Sequence, residues 1–312
     1  MYQGTPQAPE SSGGWSVHPL SLDRLLAIGW SLFRFSWLRM LVAAAAAIVP
    51  GYLVLGAAAA AFAPQINAWL ADAQAAASIG LQPPPWPPGM STGVAVLFGG
   101  AIVLFVLSAV AGGAVIHITD ATYRGRRPSV ADALAHAAGR LPALIGAQLV
   151  YILIAFLIML VGLTIGGLLI LGGSVLAFVG LVVIVGSFAA WIFVAIRTSL
   201  VMPVIILESA GAIEGLARSW RLVAGSGWRI LGYVLLIGLL AVIAGLVIST
   251  VPGLILRLDS GTSGGVATSS MLDALSSIVL TPLTAIVFSL LYYDLRWKSG
   301  EPVPTPGAEA GR

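Results

Sequence analysis

The sequence predicts an all-α fold: a polytopic membrane helical bundle of six transmembrane helices with three interfacial amphipathic elbow helices. Hydrophobic residues make up 59% of the 312 residues and charged residues only 9%, whereas a soluble domain carries roughly 25% charged residues. Apolar runs long enough to cross a bilayer recur along the chain. Basic residues concentrate in alternate connections between these runs, which is typical of a polytopic membrane protein.

The chain divides into three segments in this prediction. Residues 1–19 are polar and rich in Gly, Pro and Ser, so we expect a disordered cytoplasmic tail. Residues 20–298 form the six-span membrane domain, and residues 299–312 form a second disordered cytoplasmic tail. The spans are predicted at about residues 38–62, 94–118, 144–171, 175–196, 230–250 and 275–292.

The first elbow helix is predicted to begin at Ser21 and to lead into the first span. Its apolar side chains recur at helical spacing, and Arg24 and Arg34 lie on the opposing face. The apolar residues are Leu22, Leu25, Leu26, Gly29, Phe33 and Trp37. A helix divided in this way lies in the interface, with its apolar side dipped into the acyl boundary.

The connection between the first two spans contains neither Lys nor Arg. Its Pro-rich run, residues 83–88 around Trp86, is typical of a loop. We therefore expect an outer loop in which residues 66–77 form a short, separate surface helix.

The second elbow helix is predicted from a capping-box pattern, because Asp132 follows Ser129 by three residues. Apolar residues at helical spacing come directly after this cap. They are Val130, Ala133, Leu134 and Ala137. We expect this helix to end near Arg140 and to lead into the third span.

Residues 141–196 contain no charged residue. Because a span needs about 20 residues, this stretch is expected to cross the membrane twice and to turn near residues 172–174. Gly162, Gly166 and Gly167 predict close packing of the two helices, since small residues let backbones approach each other in lipid.

The third elbow helix is predicted between the fourth and fifth spans. Glu214 and Arg218 lie four residues apart on its charged face, in the orientation that favours a salt bridge. Its apolar face consists of Ile213, Leu216, Ala217, Trp220 and Val223. An elbow helix followed by two spans and an outer turn thus occurs three times, as in parallel repeats.

The distribution of charge predicts the orientation. Fourteen of the 15 Lys and Arg residues fall on one side of the membrane in this topology, and Arg257 falls on the other. Basic connections resist translocation, so both termini are predicted to be cytoplasmic. The basic residues are almost all arginine, beside abundant Ala and Gly, which indicates a GC-rich bacterial genome. We therefore expect a multi-pass protein of the bacterial inner membrane.

Residue types that signal chemistry are sparse. The chain has no cysteine, and its histidines are at no ligand spacing: His18, His117 and His136. We interpret His117 as an interfacial residue at a span end. We interpret the outer carboxylates as solvated loop residues: Asp72, Asp259 and Asp273. The sequence therefore predicts no catalytic, cofactor or metal site.

Arginines beside the elbows are the one feature with binding potential. At the inner headgroup level they would bind anionic lipid headgroups of the cytoplasmic leaflet or an acidic partner; alternatively, they only set topology and snorkel. The candidates are Arg124, Arg126, Arg127, Arg218, Arg221 and Arg229. No soluble domain is long enough to bind nucleic acid. Protein partners and homo-oligomers are left open.

Four segments fall in the order known from one family. They are Asp23–Leu26, Tyr123–Ser129, Glu208 with Arg218–Leu222, and Leu291–Arg296. Together they resemble the membrane domain of the glycerophosphoryl diester phosphodiesterase membrane-domain family, over about residues 18–298. Some members carry a catalytic barrel besides this domain, and the chain resembles the membrane domain alone. The phosphodiesterase chemistry belongs to that barrel, so the resemblance implies no enzyme activity here.

We therefore expect a non-enzymatic membrane protein that serves as a scaffold or as a lipid-associated protein of the envelope. One alternative is a permease or lipid-handling transporter, in which Pro50, Pro252 and Pro282 break helices around a path. The lack of charge within the spans argues against ion or proton coupling. A less favoured alternative is an intramembrane hydrolase that pairs two outer carboxylates.

Overall fold

The computed structural model describes residues 22–255 and 262–303. Within these ranges every regular element is helical, which confirms the all-α class. The elements are α1 (Leu22–Ser78), α2 (Met90–Tyr123), α3 (Val130–Gly139), α4 (Leu141–Ile170), α5 (Ser174–Thr198), α6 (Val201–Glu208), α7 (Ala212–Val223), α8 (Gly227–Gly245), a π-helical turn (Leu246–Thr250), α9 (Val251–Ile255) and α10 (Ser263–Lys298). The predicted tail at residues 1–19, together with Arg257 and Asp259, lies outside the described residues.

Six helical segments of the described ranges are long and apolar enough to cross a membrane, which makes the chain a multi-pass membrane protein by length and composition. Each predicted span falls on one of these segments. Several helices extend beyond the predicted spans. α2, for example, has 34 residues, or about 51 Å at 1.5 Å per residue, against a hydrocarbon core of about 30 Å.

α1 consists of a short arm, residues 22–35, and a long span that meet at a bend. Ser36 has non-helical backbone angles there (φ −130°, ψ 15°). Its hydroxyl donates to the carbonyl of Leu32 at 2.9 Å, a local bond that competes with the helical ladder and often accompanies bending. The arm therefore leaves the direction of the span, as expected of an elbow.

The apolar side of this arm packs on protein as well as facing outward. Leu25 and Gly29 are buried, and a Cβ on Gly29 would lie 3.3 Å from Cγ2 of Ile286 on α10. Leu26 and Trp37 remain exposed. This corrects the prediction that the whole apolar side dips into the acyl boundary, because α10 covers part of it.

α1 also continues past its apolar span. The surface helix predicted separately at residues 66–77 is the last part of α1, since this Ala-rich segment has high helical propensity. Trp69 donates from Nε1 to the carbonyl of Pro84 at 3.1 Å, and the rings of Trp69 and Trp86 lie 5.3 Å apart. The Pro-rich run thus folds back over the end of α1.

α1, α2 and α10 form the centre of the bundle. A Cβ on Gly51 of α1 would lie 2.9 Å from Cδ1 of Leu104 on α2, and one on Gly100 of α2 would lie 3.3 Å from Cα of Leu55 on α1. These glycines allow the two backbones to approach closely. Buried apolar side chains fill the space between the three helices, among them Met40, Ala44, Ile48, Val115, Ile118, Ile286 and Leu290.

α4 and α5 form the predicted hairpin, which turns between Ile170 and Ser174 with Gly173 at a φ of 103°. A Cβ on Gly162 would clash with Ser187, and one on Gly166 would lie 2.8 Å from the carbonyl of Gly180. The predicted close packing is confirmed at these positions. Gly167, by contrast, faces open space.

α3, α6 and α7 lie at the end of the bundle where α2 and α10 end and where α4 and α8 begin; we call this the basic end. Ser129 caps α3 as predicted, since its hydroxyl accepts from the backbone amide of Asp132 at 3.0 Å. Ser219 ties α7 to the end of α5, because its hydroxyl donates to the carbonyl of Arg197 at 2.8 Å. The sequence did not predict α6 as a helix of its own.

Candidate functional site: the basic end of the bundle

Asp120, near the end of α2, is the first of three carboxylates that organise the basic end. It is 5% exposed and accepts from Nε of Arg124 at 2.9 Å and 3.0 Å through its two oxygens. The hydroxyl of Tyr293 on α10 also donates to it, and the ring of Tyr293 stacks on that of Tyr123 at 5.1 Å. Burial opposes the charged form of Arg124, but the hydrogen bond to Asp120 offsets this and leaves the pKa of Arg124 raised.

Glu208, at the end of α6, is the second carboxylate. It pairs with Arg218 of α7 at 3.1 Å and accepts a hydrogen bond from the hydroxyl of Tyr292 at 2.7 Å. Arg218 also pairs with Glu301, and Glu301 lies 3.1 Å from Nε of Arg296. These contacts join α6, α7 and the C-terminal end of α10 in one network.

Two predictions about this segment differ from the structure. Glu214 and Arg218 were expected to pair, but each has another partner: Glu214 accepts from the backbone amide of Gly211 at 3.4 Å, and Arg218 contacts Glu208 and Glu301. Residues 299–303 were assigned to the disordered C-terminal tail, yet Glu301 forms ion pairs there and Val303 packs against the core.

Asp294 is the third carboxylate. Oδ2 of Asp294 lies 2.8 Å from Nη1 of Arg229 on α8, and its side chain is 2% exposed. The guanidinium of Arg229 also lies over the ring of Tyr233, 5.4 Å from the ring centroid. This pair connects the start of α8 to α10.

Tyr292, Tyr293 and Asp294 therefore hold three different helices. Successive residues of a helix point about 100° apart, so one turn of α10 reaches Glu208 on α6, Asp120 on α2 and Arg229 on α8. This turn fixes the relative positions of the helix ends that form the basic end.

The six arginines predicted to contact headgroups fall into two sets. Arg124, Arg218 and Arg229 are partly buried and bind the carboxylates just described. The others are more exposed: Arg126 lies 3.7 Å from Asp120, Arg127 lies over the ring of Phe35 at 5.0 Å from its centroid, and Arg221 is exposed. Contact of all six with lipid stays a prediction, and the second set has more of its surface available for it.

The basic end and the arm of α1 that packs beside it present both exposed cations and exposed aromatic rings. The exposed cations include Arg24, Arg34, Arg127, Arg221 and Lys298. The exposed aromatic residues include Trp30, Phe35, Trp37, Trp220, Trp228 and Trp297. Aromatic residues of this kind concentrate at the membrane–water interface, and α7 presents Ile213 and Trp220 outward beside its charged residues.

Residues 37–293 match a family model described as a domain of unknown function, DUF7847. The chain belongs to the DUF7847 family. No curated protein and no solved structure matches the chain. The matched range of the DUF7847 domain includes Asp120, Glu208, Arg218 and Arg229; Glu301 lies beyond it.

Within this DUF7847 domain, His117 of α2 and His136 of α3 stack with ring centroids 4.4 Å apart. Nε2 of His136 also lies 3.2 Å from the carbonyl of Ile206. These histidines are far apart in the sequence and at no ligand spacing. No local pattern predicted their contact, because it depends on α3 folding back onto α2. In the described ranges no group of three His, Cys, Asp or Glu residues is placed to hold a metal ion.

Sequence reasoning missed the carboxylates and tyrosines of this DUF7847 domain as partners of the arginines. One signal was available: Asp120 and Asp294 each lie two residues beyond the end of a predicted span, so close to the hydrocarbon core that a charged side chain needs a partner. Which arginine pairs with which carboxylate depends on contacts between helices that are distant in sequence.

Proposed function

We propose that the chain is a non-enzymatic, lipid-associated protein of the bacterial inner membrane, whose basic end lies on the cytoplasmic side and binds anionic lipid headgroups. The observation that carries this proposal is that exposed cations and exposed aromatic rings occur together at that end and on the adjoining arm of α1. Cations in this layer attract anionic lipids by about 1 kcal/mol each. The carboxylates Asp120, Glu208 and Asp294 pair with the inner arginines Arg124, Arg218 and Arg229, so the outer arginines have more of their surface available for lipid.

The orientation is part of the same proposal. Positive charge on one side of a polytopic protein favours retention of that side in the cytoplasm. We also propose kinship with the membrane domain of the glycerophosphoryl diester phosphodiesterase membrane-domain family. Support for it comes from Tyr292, Tyr293 and Arg218, which belong to the motif segments and lie together in the network of the basic end.

Lipid binding is tested by native mass spectrometry. The protein is purified from nanodiscs that contain phosphatidylcholine and phosphatidylglycerol, and the lipid that it retains is measured. The test variant R34Q/R127Q removes two exposed cations from the side of the basic end near Phe35. We expect it to retain less phosphatidylglycerol than the wild type, because two headgroup-level charges are lost. The variant R34K/R127K keeps the charge and is the matched control.

A second control removes charge from elsewhere. R257Q removes one charge that the sequence assigns to the opposite side of the membrane, so it is expected to lower phosphatidylglycerol retention less than R34Q/R127Q does. Equal phosphatidylglycerol retention by R34Q/R127Q and the wild type would reject the proposal.

A further inference from the structure

A pocket of about 240 Å³ opens at the basic end between α7 and the end of α10. Its volume is below the roughly 300–1,000 Å³ of sites that hold drug-sized ligands, so it fits a small headgroup fragment rather than a whole lipid. The polar residues that line it are Arg218, Arg221, Ser226, Lys298, Ser299 and Glu301.

The lining of this pocket has an excess of positive charge. Arg218, Arg221 and Lys298 contribute three cations, against the single carboxylate of Glu301. In the described part of the chain, Arg221 and Lys298 form no ion pair or hydrogen bond through their side chains. Two of the three cations are therefore available to an anion.

Arg218 is the third cation of the lining. Its Nε and Nη2 bind Glu208 on the side of α6, which holds the guanidinium plane in place. Within the described residues, Nη1 of Arg218 makes no hydrogen bond. A fixed guanidinium beside an ammonium suits the several oxygens of a phosphoryl group.

Glu301 places its own carboxylate in this pocket. It contacts Nη2 of Arg218 and Nε of Arg296, and its side chain is 29% exposed. A carboxylate held by arginines near the surface competes with any other anion for the same donors. Because its side chain is partly exposed and carries the same charge as the incoming anion, this carboxylate is the group that such an anion would displace from Arg218.

The proposed orientation puts this pocket at the depth of the lipid headgroups. Trp228 and Trp297 lie next to it in sequence and are exposed, as expected of side chains in the interface. Anionic phosphodiesters are concentrated at this depth, and soluble phosphate monoesters reach it from the aqueous side.

We infer that this pocket is a binding subsite for a phosphoryl anion, and that the carboxylate of Glu301 competes with that anion for Arg218. This inference rests on the proposed function, and it names the chemical group that one part of the basic end binds. Phosphate esters of a lipid headgroup and of a soluble molecule share this chemistry.

The variant E301Q tests the competition. It removes the competing charge, so its retention of phosphatidylglycerol in nanodiscs should rise about threefold or more, the scale of one surface ion pair. The matched control is E214Q. It removes a carboxylate from the first turn of α7, outside the pocket lining, whose side chain contacts the backbone of Gly211. If E214Q raises retention as much as E301Q, general electrostatics explains the result and the competition is rejected.

The variant R221Q/K298Q tests the subsite. Its phosphatidylglycerol retention should fall below that of the wild type, because two donors of the pocket are lost. Wild-type retention by R221Q/K298Q, together with a loss in R34Q/R127Q, would overturn the subsite and leave the proposed function standing. Wild-type retention by both variants would overturn the two together.

Inorganic phosphate and glycerol 3-phosphate, added to the detergent-purified protein, distinguish the source of the anion. If either raises the unfolding temperature of the wild type at millimolar concentration and not that of R221Q/K298Q, the subsite is supported and binds soluble phosphoryl groups. If neither does, while phosphatidylglycerol retention depends on Arg221 and Lys298, the subsite is supported and takes a lipid headgroup.

Discussion

Arg229 at the start of α8 and Asp294 near the end of α10 lie 2.8 Å apart, and this ion pair joins the fifth span to the centre of the bundle. Few side chains of α8 are buried; Ile230 and Tyr233 are the buried ones. The position of α8 therefore depends on this pair and on the packing directly beside it.

We predict that R229Q destabilises the protein more than D294N. R229Q leaves the carboxylate of Asp294 buried without its cation, a change that costs about 3–5 kcal/mol in buried pairs. D294N leaves an arginine that is 26% exposed and can reach water. Thermal unfolding in detergent measures both, and the double variant R229Q/D294N should recover part of the loss in R229Q. Equal effects of the two single variants would contradict this asymmetry.

Tyr293 provides a second test of the basic end. Y293F removes a hydroxyl that donates to the buried carboxylate of Asp120. The loss of a donor to a buried acceptor costs about 1–3 kcal/mol. The control Y151F removes a hydroxyl on α4 that makes no hydrogen bond within the described residues. We expect a lower unfolding temperature for Y293F alone, measured side by side in the same detergent.

The ion pairs of Glu301 predict a dependence on pH. The hydrogen bond from Arg218 lowers the pKa of Glu301 below its ordinary value of 4.5. A lowered pKa means that the stabilisation is present above 4.5 and is lost as the pH falls through the lower, folded value. The difference in unfolding temperature between the wild type and E301Q should therefore be constant at neutral pH and shrink below pH 4.5. A difference that persists unchanged in acid would show that charge on Glu301 does not stabilise the contact.

Local patterns in the sequence were sufficient for much of the fold. The spans follow from uninterrupted apolar runs, the start of α3 from Ser129 and Asp132, and the α4–α5 turn from Gly173. Each of these features depends on residues within a few positions of one another. A single sequence therefore contains the information that determines them.

The partners of the arginines could not be predicted in the same way. Helical periodicity shows which residues share a face, and on that basis Arg218 was paired with Glu214 on the same helix. The structure pairs Arg218 with Glu208 and with Glu301, which is 83 positions away. Such a contact depends on where the end of α10 lies against α7. No local pattern in the sequence contains that position.

The α4–α5 hairpin allows a final prediction in which two neighbouring glycines have opposite effects. Alanine in a helix interior is favoured over glycine by about 0.8–1.0 kcal/mol, so G167A, which places its methyl group in open space, should be neutral or stabilising. G166A would place a methyl carbon 2.8 Å from the carbonyl oxygen of Gly180, and overpacking of this kind costs about 1–3 kcal/mol. The unfolding temperature of G167A should therefore equal or exceed that of the wild type. The unfolding temperature of G166A should be lower than that of the wild type. Helix propensity alone predicts the same gain in stability for both variants. A lower unfolding temperature in G166A only therefore measures the cost of forcing α4 and α5 apart.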